Sequence, residues 1–104
     1  GNNQQNIDQI LENIVFIELL RRGYHVSVGL NDKKEIDFVA QKGSDKRYYQ
    51  VTYMLGSQTT IDREIGAYDD IADNYPKYVL SMDKFDMSRN GIIHQNIIDF
   101  LLEK

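Results

Sequence analysis

Apolar residues recur along the first part of the chain at a helical period. From Ile7 they fall three or four positions apart, and from Ile14 to Leu20 nearly every position is apolar, so the pattern predicts a helix that is buried on most sides. The two arginines that follow favour the C-terminal end of a helix, and Gly23 supplies a left-handed cap. The predicted buried stripe contains Ile7, Ile10, Leu11, Ile14 and Ile17.

Three segments with the pattern of strands follow this helix. "YHVSVGL" alternates from Tyr24, "EIDFVA" contains Asp37, and "RYYQVTY" is rich in aromatic and β-branched residues. The polar segments "NDKK" and "QKGSDK" predict the turns between them. The chain from Tyr24 to Leu55 is therefore predicted to form a three-stranded antiparallel meander.

The second half of the chain predicts a helix, a strand and a small C-terminal addition. The helix extends from Ile61 to Asn74, with Thr59 or Thr60 as its N-cap, and Pro76 ends it. "KYVLSM" predicts a short buried strand parallel to a strand of the meander, because a helix leads into it. After a loop, "IIHQNI" predicts an edge strand and "IIDFLL" a closing turn or short helix. The buried stripe of the second helix contains Ile61, Ile65, Tyr68, Ile71 and Ala72.

Together these elements predict an α/β fold, in which a mixed sheet of four or five strands is flanked by helices. The 104 residues permit one domain, 1–104, with a buried core. Residues 1–6, "GNNQQN", are polar and amide-rich and predict a disordered lead-in. Because the chain begins with Gly1 rather than methionine, we interpret it as a domain excised from a longer protein, with a tag remnant at its start.

Composition narrows the class of protein. The chain has no cysteine, which excludes disulfides, thiolate zinc sites and cysteine nucleophiles and favours a reducing cytoplasm. No apolar run approaches the roughly 18 residues of a membrane span, so no membrane partner is expected. A net charge of -4 argues against a general electrostatic grip on a phosphate backbone, so any DNA binding should be weak. Basic residues gather locally at Arg21-Arg22, Lys33-Lys34 and Lys46-Arg47.

Candidate chemistry lies in the hairpin between Glu35 and Tyr53. Asp37 and Gln50 stand on neighbouring strands, so their side chains can point at one spot, as in a metal site built on a sheet. A Mg²⁺-dependent nuclease site would want a carboxylate in place of Gln50 and a lysine in place of Thr52. Glutamine keeps an oxygen ligand without the charge. Threonine cannot stabilise developing negative charge as a lysine does, a contribution of about 10²- to 10⁴-fold.

The order of the elements and three of these segments resemble a known fold. Glu12 in "ENIVFIELLRRGY", Asp37 in "EIDFVA" and Gln50-Val51-Thr52 look like the helix glutamate, the metal-binding aspartate and the (D/E)XK position of the PD-(D/E)XK nuclease superfamily, which has the restriction-endonuclease-like fold. The active-site motif is degenerate here. A narrower resemblance is to a C-terminal domain of unknown function in prokaryotic predicted AAA-type ATPases. Further segments that carry it are "YYQVTY", "REI", "YPKYVLSMD" and "GIIHQNIIDFLL".

This resemblance implies an ATP-binding module upstream of a nuclease-like tail. We expect the tail to be a non-catalytic accessory or interaction domain, with DNA transactions as one context. It would need no cofactor of its own, since ATP would bind in the upstream domain. Its partner would be that ATPase domain or another protein. The residues that would be relicts of a lost site are Glu12, Asp37, Gln50 and Thr52.

Two alternatives remain open from the sequence. The first is an active Mg²⁺- or Mn²⁺-dependent DNA endonuclease with a rearranged site, in which Asp37, Gln50 and Glu12 bind the metal. The residues that could then replace the missing lysine are Lys42, Arg63 and Lys77. The second alternative is a structural dimerisation domain that forms a homodimer.

Several polar residues have two interpretations. Asp37 is either a solvated strand residue or a relict, and a surface relict would tolerate Asp37→Asn to within about 1 kcal/mol. Glu12 and Glu18 need polar partners if they are buried, such as the arginines at the end of the helix or backbone amides. Arg63-Glu64 is either a polar anchor near Asp37 or a solvated surface pair.

The tyrosines and histidines receive no functional role. The histidines, His25 and His94, lie far apart in sequence and lack ligand-type spacing. Packing explains the tyrosines better than base stacking, because they fall at strand and helix-core positions. These tyrosines are Tyr48, Tyr49, Tyr53, Tyr68, Tyr75 and Tyr78.

Overall fold

The computed structural model describes residues 6–30 and 35–103, which form a five-stranded mixed sheet flanked by helices. The elements are α1 (Asn6–Arg21), β1 (His25–Leu30), β2 (Glu35–Lys42), β3 (Asp45–Val51), α2 (Gln58–Gly66), β4 (Lys77–Ser81), β5 (Ile93–Asn96) and α3 (Ile97–Leu102). The predicted α/β class is confirmed. Asn6 belongs to α1 rather than to the predicted lead-in. The rest of that lead-in and the "NDKK" turn lie outside the described residues.

The strands lie in the sheet in their order along the chain, from β1 at one edge to β5 at the other. The strands β1, β2 and β3 are antiparallel, which confirms the predicted meander. As predicted, β4 lies parallel to a strand of the meander, and this strand is β3. The edge strand β5 is parallel to β4 and leads directly into α3. Among the helices of the described residues, none is long and apolar enough to cross a membrane.

The first helix ends at the predicted glycine cap. Gly23 has a φ of 92°, in the left-handed region that glycine adopts without strain. Its N–H donates to the carbonyl of Leu20 at 2.9 Å, and the N–H of Tyr24 donates to that of Leu19 at 3.1 Å. These bonds satisfy carbonyls that the end of the helix would otherwise leave without a donor.

Strand alternation divides the core between the two faces of the sheet. Tyr49 lies in a cluster with α1 and α3, whereas its neighbour Tyr48 lies in a second cluster with the α2 segment. The Tyr49 ring stacks on Tyr78 with centroids 4.9 Å apart and meets the edge of Phe100 at 5.7 Å. Packing therefore explains Tyr48, Tyr49 and Tyr78, as predicted. The exposed tyrosines of the set are Tyr53 and Tyr75.

The prediction that α1 is buried on most sides is wrong. Its buried residues are Asp8, Leu11, Val15, Glu18 and Leu19. Of the predicted stripe only Leu11 is buried. The exposed members are Ile7, Ile10, Ile14 and Ile17. The reason is that α1 packs on the sheet and α3 through one face, while its opposite face is not covered by other described parts of the chain.

The second helix also departs from its predicted bounds. Its N-cap is Ser57, whose Oγ accepts from Thr60 N–H at 3.2 Å, and its last residue is Gly66 rather than Asn74. The chain then continues in tight turns, where the hydroxyl of Tyr68 donates to a carbonyl of β4 at 2.6 Å and holds this segment on the sheet. In the predicted stripe, Ile65 and Tyr68 are buried, Ile61 and Ile71 are half-buried, and Ala72 is exposed.

Candidate functional site

The candidate site lies where β2 and β3 diverge. Backbone pairing between the two strands reaches Phe38 and Tyr49 and stops there, one residue before Asp37 would meet Gln50. Beyond this point, hydrogen bonds to side chains replace the backbone pairing. Gln50 Oε1 accepts from the Asp37 N–H at 2.7 Å, and Asp37 Oδ2 accepts from the Val51 N–H at 2.8 Å. The two residues form a reciprocal connection between the strands, which we call the Asp37–Gln50 latch.

Both residues of the latch are buried, with 7% of Asp37 and 3% of Gln50 exposed. The expectation that they lie side by side is confirmed, and Gln50 is a buried residue that hydrogen-bonds to the backbone. The interpretation of Asp37 as a solvated strand residue is wrong, because its carboxylate replaces a ladder bond inside the sheet.

The latch continues to α2 through Glu64. Gln50 Nε2 donates to the Glu64 carbonyl at 3.4 Å, and the Glu64 side chain is completely buried. Arg63 is exposed and its Nε donates to Glu64 Oε2 at 3.2 Å. The polar-anchor interpretation of Arg63-Glu64 is therefore correct for Glu64, which lies one hydrogen bond from the latch.

The structure also locates Thr52 and the residues that could replace a catalytic lysine. Thr52 is buried directly after β3, and its N–H donates to a carbonyl of β4 at 3.0 Å. Lys42 Nζ donates to the carbonyl that follows α1 at 2.9 Å, and Lys77 Nζ is held by the loop after α2. Of the three candidate cations, Arg63 is the one bonded to the latch region, through Glu64.

Acidic side chains from α1 and α2 lie near the latch. Asp8, one turn before Glu12 on α1, is buried, and its Oδ1 accepts from the Tyr53 N–H at 2.7 Å. Burial raises the pKa of Glu12, and the negative charges of Asp8 and Glu64 raise it further. Sequence reasoning missed Asp8, although its spacing of four residues from Glu12 places the two carboxylates on neighbouring positions of one helix face.

These side chains do not fit the Mg²⁺ site that the resemblance implies. Such an ion needs carboxylate oxygens that converge on one point beside retained waters. Asp37 Oδ2 and Gln50 Oε1 are instead held by backbone N–H groups. Within the part of the chain that the structure describes, no three His, Cys, Asp or Glu side chains are arranged to hold a metal.

An open groove of about 790 Å³ beside the end of α1 is a second candidate site. Its lining residues are Arg21, Arg22, Tyr24, Lys42, Arg47 and Glu103. The arginines already have acidic partners. Glu18 accepts from Arg21 and Arg22, Asp45 accepts from Arg47, and Glu103 accepts from Arg22. This pairing leaves little positive charge for a phosphate backbone.

Ser81, Asp83 and His94 form a hydrogen-bond chain at the ends of β4 and β5. Ser81 Oγ lies 2.7 Å from His94 Nε2 and donates to Asp83 Oδ2 at 2.6 Å. His94 Nδ1 accepts from the Met87 N–H at 3.1 Å, so the neutral ring carries its proton on Nε2. A ring that donates to Ser81 cannot take its proton, and the chain is therefore structural rather than a catalytic triad.

The buried His94 should make the fold sensitive to mild acid. Burial lowers the pKa of His94 below its usual value of 6.5, while the charges of Asp83 and Asp86 oppose this shift. The unfolded chain therefore takes up a proton near pH 6.5 that the folded chain binds only at lower pH, so the free energy of unfolding should decrease as the pH falls below about 6.5. In His94→Gln this part of the pH dependence should disappear, as measured by urea unfolding at about pH 7.5 to pH 5.

His25→Gln is the matched control for this measurement, because His25 is exposed on β1. The unmodified chain and His25→Gln should lose stability in parallel over this range. Equal slopes in the unmodified chain and in His94→Gln would show that the burial of His94 does not affect acid sensitivity.

Comparisons with known proteins give relatives but no described activity. An uncharacterized protein of Haemophilus influenzae is 40% identical over 104 residues, which are 99% of this chain and 25% of that protein. An uncharacterized protein of Methanocaldococcus jannaschii is 42% identical over 69 residues, 62% of this chain and 15% of that protein. The chain thus spans 25% or less of the length of each relative. No family model and no solved structure matches the chain.

Proposed function

We propose that this chain is a non-catalytic interaction domain with a restriction-endonuclease-like core, attached to an AAA-type ATP-binding protein of the cytoplasm. The succession of α1, an antiparallel meander, α2 and a parallel β4 supports the nuclease-like core. The much greater length of both relatives supports a longer parent protein, in which this domain contacts the ATPase domain or another protein.

The observation that carries the proposal is the Asp37–Gln50 latch. A metal-dependent nuclease directs the lone pairs of such residues at the cation. Here Asp37 Oδ2 and Gln50 Oε1 direct lone pairs at backbone N–H groups and hold β2 against β3.

The chemistry of the amide explains why glutamine suits the latch. Gln50 accepts from the Asp37 N–H and donates to the Glu64 carbonyl at the same time. An ionised carboxylate at this position could accept but not donate, and it would lie close to the acidic side chain of Asp37. The glutamine that weakens a metal site therefore satisfies both the Asp37 N–H and the Glu64 carbonyl.

One observation favours the alternative of a cation-dependent endonuclease. Asp8, Glu12 and Glu64 concentrate negative charge beside the latch, and this charge contributes to the raised pKa of Glu12. A bound cation would relieve that repulsion. The alternative requires the Asp37 carboxylate to exchange the Val51 N–H for the metal, with Arg63 as the source of positive charge.

Plasmid nicking distinguishes the two functions. In the presence of Mg²⁺ or Mn²⁺, the unmodified chain is expected to leave supercoiled plasmid intact, because Asp37 and Gln50 are engaged by the backbone. Titration calorimetry with Mn²⁺ should likewise detect no saturable binding.

Two variants make this experiment decisive. Asp37→Asn changes the latch, and Asp62→Asn is its control because Asp62 is exposed on α2. Metal-dependent nicking that persists in Asp62→Asn and is lost in a folded Asp37→Asn would refute the non-catalytic proposal. Thermal unfolding followed by circular dichroism establishes that both variants are folded.

A further inference from the structure

The outward side of α1 is an exposed apolar surface, which we call the α1 face. Its apolar side chains are between 37% and 63% exposed. They are Ile7, Ile10, Ile14, Phe16, Ile17 and Leu20. The other exposed residues of α1 are Asn6, Gln9, Asn13 and Arg21. From Asn6 to Leu20 the exposed side of this helix therefore carries no charge, although 27% of the residues in the chain are charged.

An exposed helix side of this kind is not typical of a surface that faces water. A surface helix normally places its charged and polar residues on the side away from the core. The helix α1 departs from this pattern, because four isoleucines lie on its exposed side and the acidic residues Asp8 and Glu18 lie on its buried side. Contiguous exposed apolar surface of this kind usually marks an interaction site.

The composition of the α1 face excludes several classes of partner. A helix that lies on a membrane surface carries lysine or arginine along its polar flank. Here Arg21 is the single exposed cation of α1, and it is bound to Glu18 at 2.6 Å. A nucleic acid or a strongly charged peptide would also find no opposite charge on this surface. The α1 face fits an equally apolar and uncharged helix.

We propose that a second copy of this chain covers the α1 face, with the two α1 helices packed antiparallel about a two-fold axis. The isoleucines at 7, 10, 14 and 17 are spaced by three, four and three residues, an order that is the same from either end. In an antiparallel pair, Ile7 lies opposite Ile17 of the partner subunit, and Ile10 opposite Ile14 of the partner subunit. A surface that matches itself in this way is what a two-fold interface requires.

The same spacing is that of the a and d positions in helix pairs packed by interdigitating side chains. Two copies that each carry a net charge of -4 repel each other on average. At an uncharged face they can approach without bringing like charges into contact. Antiparallel packing also sets the dipoles of the two helices in opposite directions, which is favourable.

The α1 face is held in place from below. Val15 and Leu19 are completely buried against the sheet, and Asp8 binds the Tyr53 N–H. At the border between the α1 face and the sheet, the Phe16 ring lies 5.8 Å from that of Phe38 on β2. Binding would therefore order little that is not already ordered, which reduces its entropic cost.

The expected dimer is weak. A helix of 16 residues is about 24 Å long, and one such contact lies at the small end of specific interfaces. We expect a dissociation constant on the order of 1–100 µM for this chain. The inference rests on the proposed interaction function and names its partner.

Sedimentation equilibrium of the 104-residue chain tests the proposal. The unmodified chain should form a reversible dimer. A variant that combines Ile10→Glu with Ile14→Glu should have a dissociation constant higher by roughly 10-fold or more, because these substitutions bury four carboxylates in one dimer. Ile93→Glu on β5 is the matched control, since Ile93 is also an exposed isoleucine, and it should dimerise like the unmodified chain. A monomer at about 1 mM, roughly ten times the upper end of the expected constant, or a dimer unchanged by the α1 substitutions, would overturn the proposal.

Engineered cysteines test the orientation, and the absence of native cysteine makes every cross-link assignable. Ile7→Cys mixed with Ile17→Cys should give a disulfide between the two variants under mild oxidation, because antiparallel packing brings these positions together. Efficient linking of Ile7→Cys to itself, with none to Ile17→Cys, would show parallel helices and overturn the two-fold antiparallel arrangement.

The dimer and the non-catalytic function can be refuted independently of each other. Failure to dimerise through α1 leaves the nicking result unchanged, and metal-dependent nicking abolished by Asp37→Asn would refute the non-catalytic function without affecting the oligomeric state. The isoleucine substitutions lie on α1, away from Asp37 and Gln50 of the latch on the sheet.

Discussion

Asp37→Ala is expected to decrease the free energy of unfolding by about 2–4 kcal/mol, as measured by urea denaturation. The substitution removes the acceptor of the Val51 N–H and the side chain that spans the gap between β2 and β3. Both consequences fall inside the sheet, where water cannot easily replace the lost acceptor. The expectation of about 1 kcal/mol for Asp37→Asn assumed a surface position, and the burial of Asp37 removes that assumption.

A double-mutant cycle shows whether Asp37 and Gln50 act as one unit. Gln50→Ala removes the acceptor of the Asp37 N–H and the donor to the Glu64 carbonyl. Because the two residues share the latch, the double variant should be less destabilised than the sum of the single variants, by about 1 kcal/mol or more. Asp62→Ala, at an exposed position, is the control. A change within about 0.5 kcal/mol for Asp37→Ala would show that the latch does not stabilise the strands.

Most of the fold could be predicted because its elements follow local rules. The glycine cap at Gly23, the alternation of the meander and the order of helix before β4 each depend on residues close in sequence. The end of α2 could not be predicted in this way. The apolar spacing continues to Ile71, but the hydroxyl of Tyr68 binds a carbonyl of β4 and the segment tightens into turns. That bond joins residues ten positions apart, and the spacing of apolar residues does not reveal it.

The orientation of α1 shows a different limit of sequence patterns. The helix has two apolar stripes, and periodicity alone does not determine which one the sheet covers. The stripe with Leu11, Val15 and Leu19 is buried even though it includes two acidic residues. These acids are tolerated because Asp8 accepts a backbone N–H and Glu18 binds two arginines. The hydrogen-bond partners of Asp8 and Glu18 therefore permit this stripe to be buried, although the sequence pattern favoured the stripe of isoleucines.

The candidate site was predictable in position but not in chemistry. Strand pairing alone placed Asp37 beside Gln50. Sequence spacing could not show that the ladder between β2 and β3 stops at this point, or that the side chains replace its hydrogen bonds. Ser81 and His94 were missed because their contact depends on the parallel pairing of β4 with β5, which brings the ends of both strands together.

Arg22→Met is expected to destabilise the chain by about 2–3 kcal/mol, because one guanidinium connects α1 to α3. Arg22 donates to Glu18 Oε2 at 2.7 Å, to Glu103 Oε1 at 3.1 Å and to the Phe100 carbonyl at 2.5 Å. It also lies 4.3 Å from the centre of the Phe100 ring. Arg21→Met is the matched comparison, because Arg21 is exposed and binds the same carboxylate but does not reach α3, and it should destabilise the chain less than Arg22→Met.

The acid dependence of unfolding tests the same connection independently. The hydrogen bond from Arg21, with a further one from Arg22, lowers the pKa of Glu18 from 4.5 to about 2. A lowered carboxylate pKa contributes stability that is complete above pH 4.5 and is lost as the pH falls toward about 2. Without the Arg22 guanidinium the pKa of Glu18 should rise, so Arg22→Met should lose less stability on acidification than the unmodified chain, and Glu18→Gln should lose least. Parallel acid profiles for the unmodified chain and Arg22→Met would mean that Arg21 alone sets the charge of Glu18, and that Arg22 stabilises the helices through packing and the Phe100 carbonyl.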